Sequence, residues 1–271
     1  MDELRQKLTL EQQNELLREE LLTHHQFSEG DFDKELAYIE EFVEANLDYA
    51  HVHRCDLTAA RIYTRNEIYS KFNADMRATT APDSPADEWK SMYYHLRNAV
   101  REVVGVPGGT KLFRGQPEFY GDDEGAKARG DVPYKEGASV RWKDFKSASK
   151  KRAVAEEFAG KSGVVFEIET PKTGNFGANF CTKAAKVGTI SVYPNEDEIL
   201  LPPGSTFKVT ERSMDGDVTV VSLQYKGDWA DLDEAMTGWP GPLQEQWMDV
   251  CKASCPARGT WLLWKFSPER G

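Results

Sequence analysis

The chain has 271 residues, of which 39% are hydrophobic and 29% charged, so it can form a globular protein of one or two domains. No apolar run reaches the ~18 residues that a membrane span needs, and we expect no span. The formal net charge of −11 argues against general nucleic-acid binding, because that function needs a basic face.

The negative charge is concentrated at the N-terminus. Residues 1–53 contain 14 acidic and 4 basic residues, whereas residues 54–271 contain 31 and 30. Within this nearly neutral remainder, residues 138–152 carry six Lys or Arg residues and only one acid, Asp144. This basic stretch is either a solvated lysine-rich surface or a site for an anionic ligand such as a phosphate.

The cysteines and histidines do not form a metal-binding pattern. The four cysteines, Cys55, Cys181, Cys251 and Cys255, are far apart or outside a CxxC spacing, and all five histidines precede Arg101. We therefore expect that the protein binds no metal and that its cysteines are thiols in a reducing compartment. The disulfide state of Cys251 and Cys255 is left open. The N-terminus lacks a secretory apolar core and the C-terminus a lipid-anchor tail. These features favour a soluble cytoplasmic protein, with a secreted or delivered effector as the alternative.

The first hundred residues have the periodicity of helices. Thr9 and Gln12 form a capping-box pattern, and leucines follow it at helical spacing. Further helices are predicted at residues 31–46, 57–77 and 84–104, the last beginning at Ser84 with proline next to it.

After residue 105 the pattern changes to short β-branched and aromatic runs between glycines and prolines. Strands are predicted at residues 111–115, 163–170, 188–194, 205–212 and 217–225, with one helix at 151–159. The chain is therefore predicted to be α+β, with a helical region at 1–105 and a mostly antiparallel core at 106–226. Residues 227–271 contain five of the seven tryptophans, and we expect this extension to pack on the core; a stacking platform for a ligand is the alternative.

Two polar features lie on predicted strands. Arg114 precedes Gly115, a pair that could bind a phosphate closely through the forked guanidinium. Ser147 and Ser149 are two residues apart, so an extended strand points both hydroxyls to one side, where they could orient a carboxylate. Taken alone, each is also explained by an ordinary polar surface.

A third feature is a pair of glutamates, Glu196 and Glu198, at the junction between a loop and an apolar strand. One carboxylate could be held inward while the other lies at the rim, although an acidic turn would look the same. The order and spacing of four residues resemble the R-S-E-x-E signature of the arginine-specific mono-ADP-ribosyltransferases: Arg114, Ser147, Glu196 and Glu198. Within this family the resemblance is to the ecto-enzymes of animals.

The resemblance extends beyond the signature and covers about residues 56–226. Residues 62–77 resemble the helical segment before the family's core, and residues 139–158 and 190–209 resemble its catalytic flanks. Ala148 differs, because it stands where the family's Ser-Thr-Ser has its threonine. The resemblance implies a mostly antiparallel β-sandwich ADP-ribosyltransferase core that uses NAD as a substrate and no metal.

The family's reaction implies a role for each signature residue. Glu198 would stabilise the oxocarbenium-like transition state as the nicotinamide–ribose bond breaks. Ser147 would hold Glu198, and Arg114 would bind the diphosphate-ribose portion of NAD. The basic stretch at 138–152 would favour this anionic ligand.

Other residues would complete the site. Glu196 would select an arginine of a protein acceptor, with Tyr193 shaping the acceptor loop. Gly115, Ser149 and Phe158 are further candidates for binding NAD, although Phe158 and Tyr193 could be ordinary structural residues. Two other functions stay open at this point: an NAD glycohydrolase, and an inactive NAD-binding or interaction module. The acceptor protein and the oligomeric state are also open.

Overall fold

The computed structural model of the protein describes residues 8–25, 27–78, 87–117, 134–170 and 184–227. These residues belong to one compact unit, Met1–Gly227. The predicted Trp-rich extension lies outside the described residues, as do the predicted helix start at Ser84 and three of the four cysteines. None of the helices in the described ranges is long and apolar enough to cross a membrane.

Six α-helices lie in the described ranges: α1 Leu10–His24, α2 Glu29–Ala45, α3 Arg54–Tyr63, α4 Asn66–Ala78, α5 Lys90–Glu102 and α6 Arg152–Ala159. The predicted capping box is confirmed, because the Thr9 hydroxyl accepts from the Gln12 amide at 3.2 Å and the Gln12 side chain accepts from the Thr9 amide at 2.8 Å. Leu17 and Leu21 of α1 are fully buried, as the leucine spacing predicts.

The prediction of one helix over 57–77 is wrong, because the helix is interrupted between α3 and α4. The Thr64 hydroxyl donates to the Arg61 carbonyl at 2.7 Å, and the Thr64 amide bonds the same carbonyl at 3.1 Å in a tight turn. A side chain that bonds the local backbone competes with the helical pattern. The same hydroxyl accepts from the Val192 amide at 3.0 Å, so the break also serves a contact with the β region.

Eight strands follow: β1 Lys111–Gln116, β2 Ser139–Trp142, β3 Lys146–Ser149, β4 Val164–Glu169, β5 Ala185–Lys186, β6 Glu198–Leu201, β7 Ser205–Asp215 and β8 Val218–Gly227. They form one sheet of order β2-β7-β8-β4-β1-β3-β6-β5. The β4–β8 pair is parallel and the other pairs are antiparallel. The predicted α+β class with a mostly antiparallel core is confirmed. The β-sandwich stays a prediction. Strands β1 and β3 are paired at a single residue pair, Phe113 and Ser149.

The strand predicted at 188–194 is wrong, because residues 188–192 form turns and bends. The amides of Ile190 and Ser191 both bond the Val187 carbonyl, at 2.9 and 2.8 Å. Gly188 lies so close to the next strand that a Cβ there would be 2.7 Å from the Glu198 nitrogen. We call residues 187–193 the site turn.

The helical region and the sheet share a hydrophobic core. Buried residues of α1–α5 pack with Phe145, Ile190 and Leu200, while a second cluster, including Leu112, Phe166 and Phe207, lies among the strands. The helices therefore contact the segments that carry the candidate site. The predicted domain boundary at residue 105 stays a prediction.

Candidate active site

A cavity of about 260 Å³ is lined by all eight predicted site residues. They are Arg114, Gly115, Ser147, Ser149, Phe158, Tyr193, Glu196 and Glu198. The α3–α4 junction contributes further lining residues, among them Tyr63, Thr64 and Tyr69. The three sequence features thus meet at one place, as the resemblance implies.

Glu198 is the first residue of β6 and only 6% exposed. Its Oε1 accepts a hydrogen bond from the Ser147 hydroxyl, and its Oε2 accepts one from the Ser191 hydroxyl at 3.0 Å. Burial raises the pKa of Glu198 above its ordinary value; the two hydroxyls oppose this, Glu196 adds to it, and Arg114 lowers it. The carboxylate is therefore fixed through both oxygens in a poorly solvated position.

Arg114 is anchored beside this carboxylate but keeps an unused donor. Its Nη1 donates to the Ser147 carbonyl at 2.6 Å. Its Nε is buried and has no hydrogen-bond partner in the described part of the chain. Because a buried donor without an acceptor costs roughly 1–3 kcal/mol, an acceptor on a bound ligand would remove a penalty. This is the group expected where an anionic ligand completes the site.

Glu196 lies at the rim, half-buried, in the short 3₁₀ helix Pro194–Glu196. The intervening Asp197 has a left-handed backbone, with φ of 51°, which separates the directions of the two glutamates. Burial raises the pKa of the Glu196 carboxyl, and the charge of Glu157 raises it further. Tyr193 and Phe158 are 40% and 50% exposed at the same cavity.

Comparison with known proteins identifies the family. The family described as NAD:arginine ADP-ribosyltransferase matches residues 2–231 of the chain. The chain belongs to this family. The ecto-ADP-ribosyltransferase 5 of Homo sapiens is 31% identical over 135 residues, which are 50% of this chain and 40% of that protein. The enzyme of the same name from Rattus norvegicus is 29% identical over 140 residues, 50% and 38% of the two chains. The chain thus matches about two fifths of the length of these relatives.

Solved ADP-ribosyltransferases share the fold. A mutant of the eukaryotic mono-ADP-ribosyltransferase ART2.2, in complex with NAD, has a TM-score of 0.55 at 19% identity, covering 78% of this chain and 83% of that one. The ADP-ribosyltransferase HopU1 of Pseudomonas syringae pv. Tomato has a TM-score of 0.56 at 19% identity, covering 72% and 87%. Within the described ranges, no three His, Cys, Asp or Glu side chains are grouped so as to hold a metal ion.

Gly115 lines the cavity and also has a packing reason for being a glycine, while its role in binding NAD stays a prediction. A Cβ at Gly115 would lie 1.8 Å from the Ala155 carbonyl oxygen, so the space that glycine leaves is filled by the backbone of α6. Ser149 also has a structural contact, because its buried hydroxyl donates to the Glu196 carbonyl at 2.6 Å and accepts from the Lys151 amide at 3.0 Å. Ser149 therefore holds the loop that carries Glu196.

Three lysines of the basic stretch have structural partners as well, and the expectation that the stretch favours an anionic ligand stays a prediction. The Lys146 ammonium is buried and lies 2.9 Å from Asp144, Lys150 lies 3.6 Å from Asp197, and Lys151 donates to the Asn195 carbonyl at 2.7 Å. None of these lysines lines the cavity. They bond the loops around the site, and among the residues that the structure describes Arg114 is the cation that lines the cavity.

Some residues that support the site from elsewhere in the fold carry no clear signal in the sequence. Ser191 contacts Glu198 but lay in a predicted strand, where its side chain had no assigned partner. Thr64 and Tyr63 line the cavity from a segment predicted as an unbroken helix. Their only signal was the resemblance of residues 62–77 to the helical segment of the family.

Proposed function

We propose that this protein transfers ADP-ribose from NAD to arginine side chains of a protein acceptor and releases nicotinamide. The observation that carries the proposal is Glu198, a buried carboxylate held through both oxygens in the cavity that Arg114 lines. A fixed negative charge in a poorly solvated site is the arrangement that stabilises positive charge developing on a ribose ring.

NAD fits the chemistry of this cavity. When bound, NAD supplies a ribose carbon whose bond to nicotinamide breaks with the electron pair leaving on nicotinamide. Arg114 would donate from its unpartnered Nε to the diphosphate-ribose portion. Ser147 would keep Glu198 facing the ribose, since its hydroxyl bonds one carboxylate oxygen while its carbonyl holds Arg114.

Glu196 would act on the acceptor. Its rim position suits the planar guanidinium of an incoming arginine, which a carboxylate binds through paired hydrogen bonds. As an arginine nitrogen bonds to the ribose carbon, the proton it loses would pass to Glu196. The raised pKa of Glu196 makes this carboxylate a better base than an exposed one. The exposed rings of Tyr193 and Phe158 flank the same opening and would contact the acceptor and the nicotinamide ring, respectively.

The test is incubation with NAD labelled in its ADP-ribose part and an arginine acceptor such as agmatine or poly-arginine. Transfer of label supports the proposal. Glu198→Gln should abolish both transfer and hydrolysis, whereas Glu196→Gln should abolish arginine transfer and keep hydrolysis. Asp197→Asn is the matched control, because it removes a neighbouring charge and keeps a residue that tolerates the left-handed backbone. Arginine transfer that persists in Glu196→Gln would refute the role of Glu196.

The two other functions have their own outcomes. Free ADP-ribose without label on any acceptor would identify an NAD glycohydrolase, and NAD binding without turnover an inactive module. Retention of Arg114, Ser147 and Glu198 together in one cavity favours an active enzyme. Cytoplasmic location and delivery as an effector both stay predictions, and mapping modified arginines in a lysate by mass spectrometry would identify the acceptor.

A further inference from the structure

The Ser191 hydroxyl has a defined direction. Its oxygen accepts a hydrogen bond from the Tyr193 amide at 3.0 Å and lies 3.0 Å from Oε2 of Glu198. Because an amide N–H can only donate, the hydroxyl proton is left for the carboxylate. Ser191 is therefore the counterpart of Ser147: each hydroxyl serves one oxygen of Glu198.

Ser191 belongs to the site turn, and this turn is held by a side chain from α3. Nη1 of Arg61 donates to the carbonyls of Ile190 and Ser191, at 2.9 and 3.2 Å. The sequence separation is about 130 residues, so the contact joins the helical region to the catalytic segment.

The Arg61 guanidinium is itself fixed on its remaining sides. Its Nε pairs with Glu35 of α2, a carboxylate only 2% exposed. The guanidinium carbon also lies 3.5 Å from the centroid of the Tyr38 ring, a cation–π distance. Pairing and stacking leave Arg61 little freedom, so the carbonyls it binds are held in place too.

We propose that Arg61 is a positioning residue: by holding the carbonyls of Ile190 and Ser191, it fixes the turn whose Ser191 hydroxyl orients the Glu198 carboxylate. The inference rests on the proposed function, in which Glu198 stabilises the reacting ribose. The N-terminal helices α2 and α3, which carry Glu35 and Arg61, would thereby help to position a group of the active site.

Other groups also face Glu198 and must stay constant in any test. They are Arg114 from β1, Ser147 from β3, Glu196 from the adjacent 3₁₀ helix, and Tyr63 from α3. None of them is changed by substitutions at Arg61 or Ser191. A change in the pKa of Glu198 in Ser191→Ala would therefore report the loss of the Ser191 hydrogen bond. In Arg61→Met the loss of a positive charge acts in the same direction, and the double variant described below separates the two effects.

The experiment measures the pKa of Glu198 in the free 271-residue chain by ¹³C NMR of labelled glutamate carboxyl groups, assigned with Glu198→Gln. It also measures the pH dependence of kcat and the KM for NAD hydrolysis. Ser191→Ala removes a hydrogen bond that favours the ionised carboxylate, so the pKa should rise and the acidic limb of kcat should move to higher pH. At pH values on the acidic side of this profile, kcat of Ser191→Ala should be about tenfold below that of the wild type, with little change in KM. Arg61→Met should move the pKa the same way by a smaller amount.

Two matched controls separate positioning from general stability. Arg65→Met removes another guanidinium that pairs with Glu35, at 3.4 Å, but no described hydrogen bond joins Arg65 to the site turn. Thr189→Ala removes a hydroxyl of the site turn that bonds Tyr49 at 2.9 Å. Both should leave the pKa of Glu198 unchanged. If Arg61→Met does not fold, Arg61→Lys keeps a cation opposite Glu35 and loses the guanidinium, and it should show the same direction.

The double variant decides whether Arg61 acts through Ser191. In the Ser191→Ala background, Arg61→Met should move the pKa of Glu198 no further. An unchanged pKa in Arg61→Met, or equal changes in Arg65→Met, would overturn the proposal. Because the NMR titration needs no NAD, a protein without enzymatic activity would refute the proposed function while still testing the contact itself.

Discussion

Replacing Gly115 with alanine tests why a glycine follows Arg114. The new methyl would lie 1.8 Å from the Ala155 carbonyl oxygen and 2.8 Å from the Ala159 nitrogen. Both atoms belong to the backbone of α6, so no side-chain rotation relieves the contact. Helix α6 would have to move away from β1, separating Ala155 and Ala159 from Val165, against which they are buried.

Such overpacking typically costs 1–3 kcal/mol, and a clash with rigid backbone belongs at the upper end. We therefore expect Gly115→Ala to lower the free energy of unfolding by about 3 kcal/mol, measured by urea unfolding of the 271-residue chain. Gly30→Ala is the matched control: Gly30 lies in α2 and a Cβ there meets nothing within 4 Å, so this variant should gain up to about 1 kcal/mol. If Gly115→Ala kept wild-type stability and lost only affinity for NAD, the glycine would serve the ligand and the packing argument would be refuted.

Three further predictions concern charged groups. Arg114→Lys keeps the charge but loses the guanidinium geometry, so the KM for NAD should rise at least about tenfold, as measured by nicotinamide release. Glu198→Gln should change the pH dependence of urea unfolding. Because the pKa of Glu198 is raised in the folded state, the folded wild type holds a proton that the unfolded chain releases, and the stability of the wild type falls as pH rises from about 4.5 through the folded pKa. The variant should not show this fall in stability. Asp144→Asn removes the buried anion that lies 2.7 Å from Arg77 and 2.9 Å from Lys146; calorimetry should show a loss of about 3–5 kcal/mol.

The parts of the fold that depend on local signals could be predicted from the sequence. The capping pair Thr9 and Gln12 begins α1 in the structure because both hydrogen bonds form within one turn. The strand at 111–115 and the helix at 151–159 also agree with the structure within one or two residues. In each case the deciding contacts lie within a few positions in the chain or follow its hydrophobic period.

The two wrong elements share a cause. The run at 188–194 alternates apolar and polar residues as a strand would, and residues 57–77 have the spacing of one helix. Each pattern is overridden where the two segments meet, since Thr64 binds Val192 and Arg61 binds Ser191. A pattern within one segment carries no information about a partner some 130 positions away.

The residues of the candidate site show the same difference between local patterns and distant contacts. Arg114, Ser147, Glu196 and Glu198 could be found because their order and spacing resemble the family's signature. The residues that hold them cannot be found in this way, since Ser191 needs only a hydroxyl and Arg61 only a fork within reach of two carbonyls. Such requirements can be met from many places in a fold. Chemistry is therefore visible in a single sequence, whereas the geometry that directs it depends on which distant segments come together.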